Sequence, residues 1–269
     1  LNFNLSAARI FCFHRPMPKV PLKNIIAYCD TLLHTAAIRD FEGAVNGLQV
    51  ENSGAVTKIA ATVDASLATI KLAIAAGADL LIVHHGLFWN ARLPWIEHNY
   101  KLQRLLIEND LAVYSSHLPL DFHPKLGNNA VLSDLLGFKI LRPFLFAHGQ
   151  NLGVKVQTTI PRAELVRRFD RAIGGKSKVI AAGPATCQAI GIVTGGAGQE
   201  LQRATNEGVD TFISGEGPHW TYALAEELGM NVLYGGHYAT ETYGVKALAA
   251  NLSKKFRVPW TFLDHPTGL

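Results

Sequence analysis

The sequence predicts an α/β protein of two related lobes with mostly parallel sheets, and three observations carry that prediction. Short apolar runs alternate with helix-length amphipathic stretches, the arrangement of βαβ units. Leu80–Val83 is apolar without alternation, as expected of a strand buried on both faces of a parallel sheet. The pattern then repeats. Ile59-Ala-Ala-Thr-Val-Asp64 matches Ile190-Gly-Ile-Val-Thr-Gly195, and Gly77-Ala-Asp79-Leu-Leu-Ile-Val matches Gly208-Val-Asp210-Thr-Phe-Ile-Ser with no gap between the two matches. A third match sets Tyr114-Ser-Ser-His117-x-x-x-Asp121 against Tyr234-Gly-Gly-His237-x-x-x-Glu241, after a shift assigned to the Gly86–Glu97 segment. Units of this kind resemble one another by physics alone, but a paired Tyr-x-x-His-x-x-x-acid is a rarer coincidence, and the reading is a duplication.

Residues 1–20 form an unassigned N-terminal extension without Asp or Glu, carrying Arg9, Arg15 and Lys19. A transit-peptide remnant and a gene-start artefact are both open readings of it. The folded part starts near Pro21, where Pro-Leu-Lys-Asn opens a helix. Lys58–Val63 reads as a strand, and Asp64-Ala65-Ser66 caps a helix with apolar positions at Leu67, Ile70, Ile74 and Ala78. The strand at Leu80 is expected to stop at His84-His85-Gly86. A helix over about 98–109 leads to a strand at 111–116 and then to His117-Leu-Pro-Leu-Asp121. The first lobe is placed at 21–141 and the second at 142–269, the two forming one functional unit. The second begins with a distinct block, 142–189, holding a strand near Val154–Ile160, a helix from Pro161 to Ile173 and a turn at Gly174-Gly175.

The 269 residues suffice to bury a core, and apolar (48%) and charged (17%) shares are those of an ordinary globular protein, which excludes disorder. A net charge of +4, with Lys and Arg scattered, argues against direct nucleic-acid binding. No apolar run reaches the length of a membrane span, so no membrane partner is expected. Cys12, Cys29 and Cys187 are far apart and in no CxxC pair, which argues against thiolate zinc and a disulfide framework and points to a reducing, cytoplasmic setting.

Several residues can carry chemistry. His84 and His85 lie where a buried strand ends; neighbours within a strand point to opposite faces, so both imidazoles reach one cluster only if the chain turns there, which Gly86 permits. His237 and Glu241 stand one turn apart at a helix start. His117 and Asp121 share that spacing, but Pro119 favours an extended or first-turn geometry. Each alone reads as ordinary: surface histidines, or a favourable acid in a first helical turn. Together they follow parallel strands at their C-terminal ends, the edge where sites form in open α/β sheets. Imidazoles and carboxylates without cysteine suit Zn, Mn, Fe, Ni or Co, and five or six donors exceed what one catalytic zinc takes, which points to two divalent ions. Asp121 and Glu241 are both candidates for a bridging carboxylate. Glu216 occupies the place of His85 in the repeat and reads as an outer orienter or general base, with a solvated loop acid as the plain alternative. Thr194-Gly-Gly-Ala-Gly198 reads as a tight turn by default and as an anion cradle by extension. Neither a Walker A loop nor a G-x-S-x-G elbow is present.

Asn46-Gly-Leu-Gln-Val50, Ile82-Val-His-His-Gly-Leu-Phe-Trp89, His117-Leu-Pro-Leu-Asp121 with Leu126-Gly-Asn-Asn-Ala130, Ser214-Gly-Glu216 and Gly236-His237-Tyr-Ala-Thr-Glu241 resemble, in order, the motifs of the Nif-three-like proteins. That family carries the label GTP cyclohydrolase I type 2, and the likeness runs from about Pro21 onward in the short bacterial form. The resemblance implies a two-lobed α/β fold, a dinuclear metal centre and homohexameric rings. By motif position it implies His84, His85, Asp121, His237 and Glu241 as metal ligands, with His117 beside them. Gly217-Pro218-His219-Trp220 departs from the more polar stretch expected after Ser-Gly-Glu.

The expected function is a metal-dependent hydrolase acting on a nucleotide or related phosphorylated small molecule, with the metals in the cleft between the lobes. The alternative is a metal-binding regulatory or interaction module without turnover, with protein or nucleic-acid partners.

Overall fold

Pro21, with φ of −58° and no N–H to satisfy, sets the entry to α1 (Leu22–Leu33), which ends at His34 in the left-handed conformation. The computed structural model describes residues 19–89, 94–147 and 149–269. Residues 1–18 of the predicted extension, Cys12 among them, lie outside the described residues. A two-stranded ladder pairs β1 (Val20–Pro21) with β3 (Ala55–Val56). The first sheet has the order β13-β4-β5-β6-β2, from β2 (Gly47–Val50), β4 (Ile59–Asp64), β5 (Leu80–His85), β6 (Ala112–Ser115) and β13 (Trp260–Phe262). All its pairings are parallel except that of β2 with β6.

The connections are α2 (Leu67–Ala75) and α3 (Glu97–Glu108). Ser66, not Asp64, caps α2: its hydroxyl accepts from the Thr69 N–H, and Thr69 reciprocates to the Ser66 N–H. Alternation sorts the strand side chains. Ile59, Ala61, Leu80, Ile82 and Tyr114 face α1 and the last helix, whereas Ala60, Leu81, Val83 and Val113 face α2 and α3.

Two short helices, α4 (Leu118–Asp121) and α5 (Asn128–Leu135), lead into the second sheet. Its order is β7-β8-β10-β11-β12-β9, from β7 (Arg142–Ala147), β8 (Gln150–Pro161), β9 (Lys178–Ala181), β10 (Thr186–Ile192), β11 (Thr211–Ser214) and β12 (Asn231–Tyr234). Only β10-β11-β12 pair in parallel; the 142–189 block adds antiparallel strands at both flanks. Within that block α6 (Arg162–Ile173) starts after Pro161 and ends at Gly174 in the left-handed region, as its sequence predicts. The helices α7 (Leu201–Asn206) and α8 (Thr221–Leu228) cover one face of the sheet, and α5 and α6 the other.

The ladders expose the duplication directly. Ile59 pairs with Leu80 and Ile190 with Thr211, the registers that the first two sequence matches require. The third match holds less strictly: Val83 pairs with Ser115, but Ser214 with Tyr234, so the second half has one more residue before its histidine.

The last helix, α9 (His237–Phe256), follows β12 yet packs on the first sheet. Val245, Leu248, Ala249 and Leu252 enter the core of Ile59, Leu80 and Tyr114, while Tyr243 enters the core of the second sheet. Tyr243 also donates to the carbonyl of Ala172. This one helix ties the lobes together. No helix among the described residues is long and apolar enough to cross a membrane.

Candidate metal centre

The strand β5 does not stop before its histidines. His85 still pairs with Asp64 in the ladder, so the turn expected at this point is not what brings the two imidazoles together. They converge because each is tethered to a different neighbouring strand. His84 Nδ1 lies 2.9 Å from the carbonyl of Ser116, just beyond β6, and His85 Nδ1 lies 2.8 Å from Asp64 Oδ1, at the end of β4. The rings end up 4.9 Å apart. Carbonyls and carboxylates only accept, so each Nδ1 carries a proton and each ring turns its Nε2 to the centre. Gly86 matters for space rather than for conformation: a side chain there would collide with the amide of Gln49.

His117 is held in the same way. It precedes α4, whose first turn contains Pro119, and its Nδ1 lies 2.8 Å from Asp40 Oδ1. Asp40 also accepts from Asn46 Nδ2 at 2.7 Å and from the N–H groups of Phe41 and Leu118. Asn46 Oδ1 in turn accepts the His117 N–H at 2.7 Å. Burial pushes the Asp40 carboxyl up, but His117, Asn46 and the Phe41 N–H outweigh it and hold the pKa at about 2.

The other donors come from α9. His237 Nδ1 lies 2.8 Å from Glu216 Oε1. Glu241, one turn on, places Oε1 3.6 Å from His84 Nε2, and Oε2 3.2 Å from His85 Nε2 and 3.1 Å from His237 Nε2. Asp121 Oδ2 is 3.4 Å from His84 Nε2, while its Oδ1 accepts from Asn128 Nδ2 at 2.8 Å. Asn128 Oδ1 accepts the Gly244 N–H, which locks α5 to α9. His84, His85 and His117 form one group whose donor atoms could share an ion, and His85, His237 and Glu241 form another.

The buried atoms at the middle fit a cation. His84, fully buried, and Glu241, 3% exposed, contribute an Nε2 and an Oε2 that have no hydrogen-bond partner among the described residues. Leaving such groups unmade costs about 1–3 kcal/mol each. Burial disfavours a charged His84, yet Asp121 and Glu241 override it and raise its pKa well above the usual imidazole range. Burial likewise opposes ionisation of Glu241, and His84 and His237 override that to hold it well below the carboxylate range. Around His237 the same balance, Glu241 and Glu216 against burial, lifts the pKa to about 9. The cluster attracts positive charge strongly enough to take up protons where no cation is bound.

The structure thus brings His84, His85, His117, Asp121, His237 and Glu241 together and sets Glu216 behind His237. Sequence reasoning does not single out Asp40 or Asp64. Asp40 lies far from His117 in sequence and shares no spacing with it. Asp64 does carry a signal: it is the last residue of the strand beside His85.

The glycine turn after β10 is no anion cradle. Gly195 N–H goes to Thr240, Ala197 N–H to Ser214 Oγ and the Gly195 carbonyl, and Gly198 N–H to the Glu216 carbonyl. Gly195, with φ of +69°, serves the site by its lack of a side chain, because a Cβ would collide with Glu241 Oε1. A cavity of about 730 Å³ opens from the cluster between the halves, with Phe41, Trp89 and His117 on one wall and Thr194, Gly196 and Arg203 on the other.

Fold and site define a two-lobed α/β protein with a histidine–carboxylate cluster that could hold a metal ion. The chain belongs to the Duf34/NIF3 (NGG1p interacting factor 3) family, whose model matches residues 20–267. It is 39% identical over 230 residues to a protein of Deinococcus radiodurans named GTP cyclohydrolase 1 type 2 homolog, covering 84% of this chain and 87% of that one. A Halobacterium salinarum protein of the same name is also 39% identical, covering 85% and 92%. The crystal structure of TTHA1606 from Thermus thermophilus superposes with a TM-score of 0.85 at 36% identity, over 93% of this chain and all of that one.

Proposed function

We propose that this chain is a dinuclear divalent-metal-dependent hydrolase acting on a nucleotide or a related phosphorylated small molecule. One observation carries the reading: four imidazoles from both halves are each tethered through Nδ1, and three of them, His84, His85 and His237, turn Nε2 toward the same buried carboxylate. His84, His85, Asp121, His237 and Glu241 would hold the ions, with His117 as an additional ligand. Glu241 would contribute both of its oxygens, which face different imidazoles, whereas one oxygen of Asp121 is already held by Asn128. Zn, Mn, Fe, Ni and Co all suit such donors. Ions so held would supply activation of water and polarisation of the bond to be cleaved. Asp64, Asp40 and Glu216 keep His85, His117 and His237, and the Ser116 carbonyl keeps His84, in the tautomer that leaves Nε2 free. The names of the relatives support nucleotide chemistry as the field of search.

Elemental analysis of protein purified without chelator or affinity tag is expected to find two metals per chain; well under one would sink the dinuclear reading. Turnover is then sought against a panel of nucleotides and phosphoesters. Metal-loaded protein without activity on any of them, behaving like Glu241→Ala, would leave the alternative of a non-catalytic interaction module, which the family's description as an interacting factor supports. A homohexameric ring is proposed alongside, since Ile96, just before α3, and Tyr100 and Ile107 within it are exposed to solvent; light scattering tests it.

A further inference from the structure

His237 and Glu241 lie at the very start of α9, a stretch that its own sequence holds poorly. The N-cap is Gly236, with φ of +94°, no side chain caps the first N–H groups, and the first turn carries no acid. A capping side chain is worth about 1 kcal/mol to a helix start. Contacts from remote segments replace it. Toward the second sheet, the Gly236 N–H goes to the Gly215 carbonyl at 2.8 Å, the Thr240 hydroxyl accepts the Gly195 N–H at 3.1 Å, and Glu216 holds His237.

Toward the first sheet the tie runs through Tyr238, the residue after His237. Its side chain is buried, and its hydroxyl donates to Asp264 Oδ1 at 2.8 Å and accepts the His265 N–H at 2.7 Å. Asp264 and His265 follow β13, which lies parallel to β4 with Trp260 beside Ile59 and Phe262 beside Ala61. A bond from the Leu263 N–H to the Ala61 carbonyl prolongs that ladder. The same segment meets α9 again two turns on, where Lys246 Nζ lies 4.1 Å from the centre of the Phe262 ring. β4 ends at Asp64, which holds His85. The segment after β13 is therefore laid along the strand that fixes His85 and closes on the residue beside His237. It couples the two suppliers of one ligand group: His85 from β5, and His237 with Glu241 from α9, the two rings 5.4 Å apart. The other group, His84, His85 and His117, contains no residue of α9, and Ser116, Asp64 and Asp40 hold its imidazoles.

Resting on the dinuclear reading above, we infer that Tyr238, latched by Asp264 and the His265 N–H, is a positioning residue for one of the two ions, that of His85, His237 and Glu241. It acts through the first turn of α9. The two ions are then held unequally: one by groups of the first half alone, the other only while the latch keeps α9 at its distance from β5.

Cobalt(II), titrated into chelator-stripped protein and followed by its visible ligand-field absorption, tests this. The chain as it stands should show two binding steps, and His237→Ala, by abolishing one, identifies the step that belongs to α9. Tyr238→Phe keeps the ring and removes the hydroxyl; it should weaken that step about tenfold and leave the other unchanged. Asp264→Ala should reproduce the loss, whereas Asp264→Asn, which still accepts the Tyr238 proton, should restore most of it. Amide hydrogen exchange at the start of α9 should quicken in Tyr238→Phe and Asp264→Ala and stay slow in Asp264→Asn. Equal weakening of both steps would make the latch a general stabiliser and overturn the inference, as would an unchanged α9 step. Should Tyr238→Phe not fold, the two Asp264 variants decide by the same criteria. Two steps with no difference among the variants would refute the latch alone; a chain that takes up no second cobalt would remove the dinuclear reading, and the latch with it.

Discussion

The two halves of this chain are built on one plan and furnished differently. In both, an aspartate at the start of the middle strand anchors the strand before it. Asp79 accepts the N–H groups of Thr57 and Lys58, and Asp210 those of Gln188 and Ala189. At the opposite end the halves diverge. Where the first has Asp64 beside His85, a carboxylate holding an imidazole, the second has Gly195 and Glu216 at the equivalent positions. The second half has no imidazole there, and the missing side chain of Gly195 opens the path by which Glu241 reaches His84 and His85. A duplication has produced one composite centre rather than two copies. The two flanks also differ in enclosure: the Asp40 side chain behind His117 is 4% exposed, Glu216 behind His237 is 47% exposed.

The sharpest way to break this comparison is to restore the side chain that the second half lacks. Gly195→Ala should displace Glu241 and match Glu241→Ala, with metal content falling from the proposed two to below one per chain by elemental analysis. A Gly195→Ala protein that kept both metals would refute the assigned role of the glycine. Next in size are the orienting carboxylates. Asp40→Asn and Glu216→Gln should weaken metal binding by about 10- to 100-fold, measured against a chelating dye. Asp40 should stand at the upper end, because water replaces the exposed Glu216 more readily than the enclosed Asp40. Equal losses would show that enclosure does not matter here.

The shared plan makes its own prediction. Asp79→Ala and Asp210→Ala should each cost about 1–3 kcal/mol in urea unfolding by stranding backbone donors, with metal content unchanged in both. A marked inequality would mean that the repeat does not extend to energetics. The smallest effect concerns pH. The His237 pKa in the folded, metal-free protein is raised from 6.5 to about 9, so its contribution is fully present below pH 6.5 and lost as pH rises through about 9. Chelated protein should therefore lose thermal stability across that window in scanning calorimetry. Glu216→Gln should flatten the loss, since it removes one of the two carboxylates that raise the pKa.

Much of this is legible in the chain. The strands and helices of both halves follow from apolar runs and caps, and the fixed offset between Ile59 and Ile190 survives as a shared ladder register. His237 and Glu241 can be placed one turn apart because helix geometry is local. The convergence of His84 and His85 reads in the sequence as a backbone turn, and that reading is wrong, because the tethers to Ser116 and Asp64 run between strands and leave no trace in spacing. Asp40 escapes notice for the same reason, its partner lying 77 residues away.

What the sequence determined by itself is the α/β class, the repeat and the kinds of donor available, since periodicity and helix spacing are short-range properties. What only the tertiary structure decided is that the donors form one cluster. That depends on α9 crossing from the second sheet to pack on the first, on Gly195 leaving room for Glu241, and on groups remote in sequence fixing each imidazole. These are contacts between segments remote in the chain, set by how apolar faces bury against one another, and no local pattern encodes them.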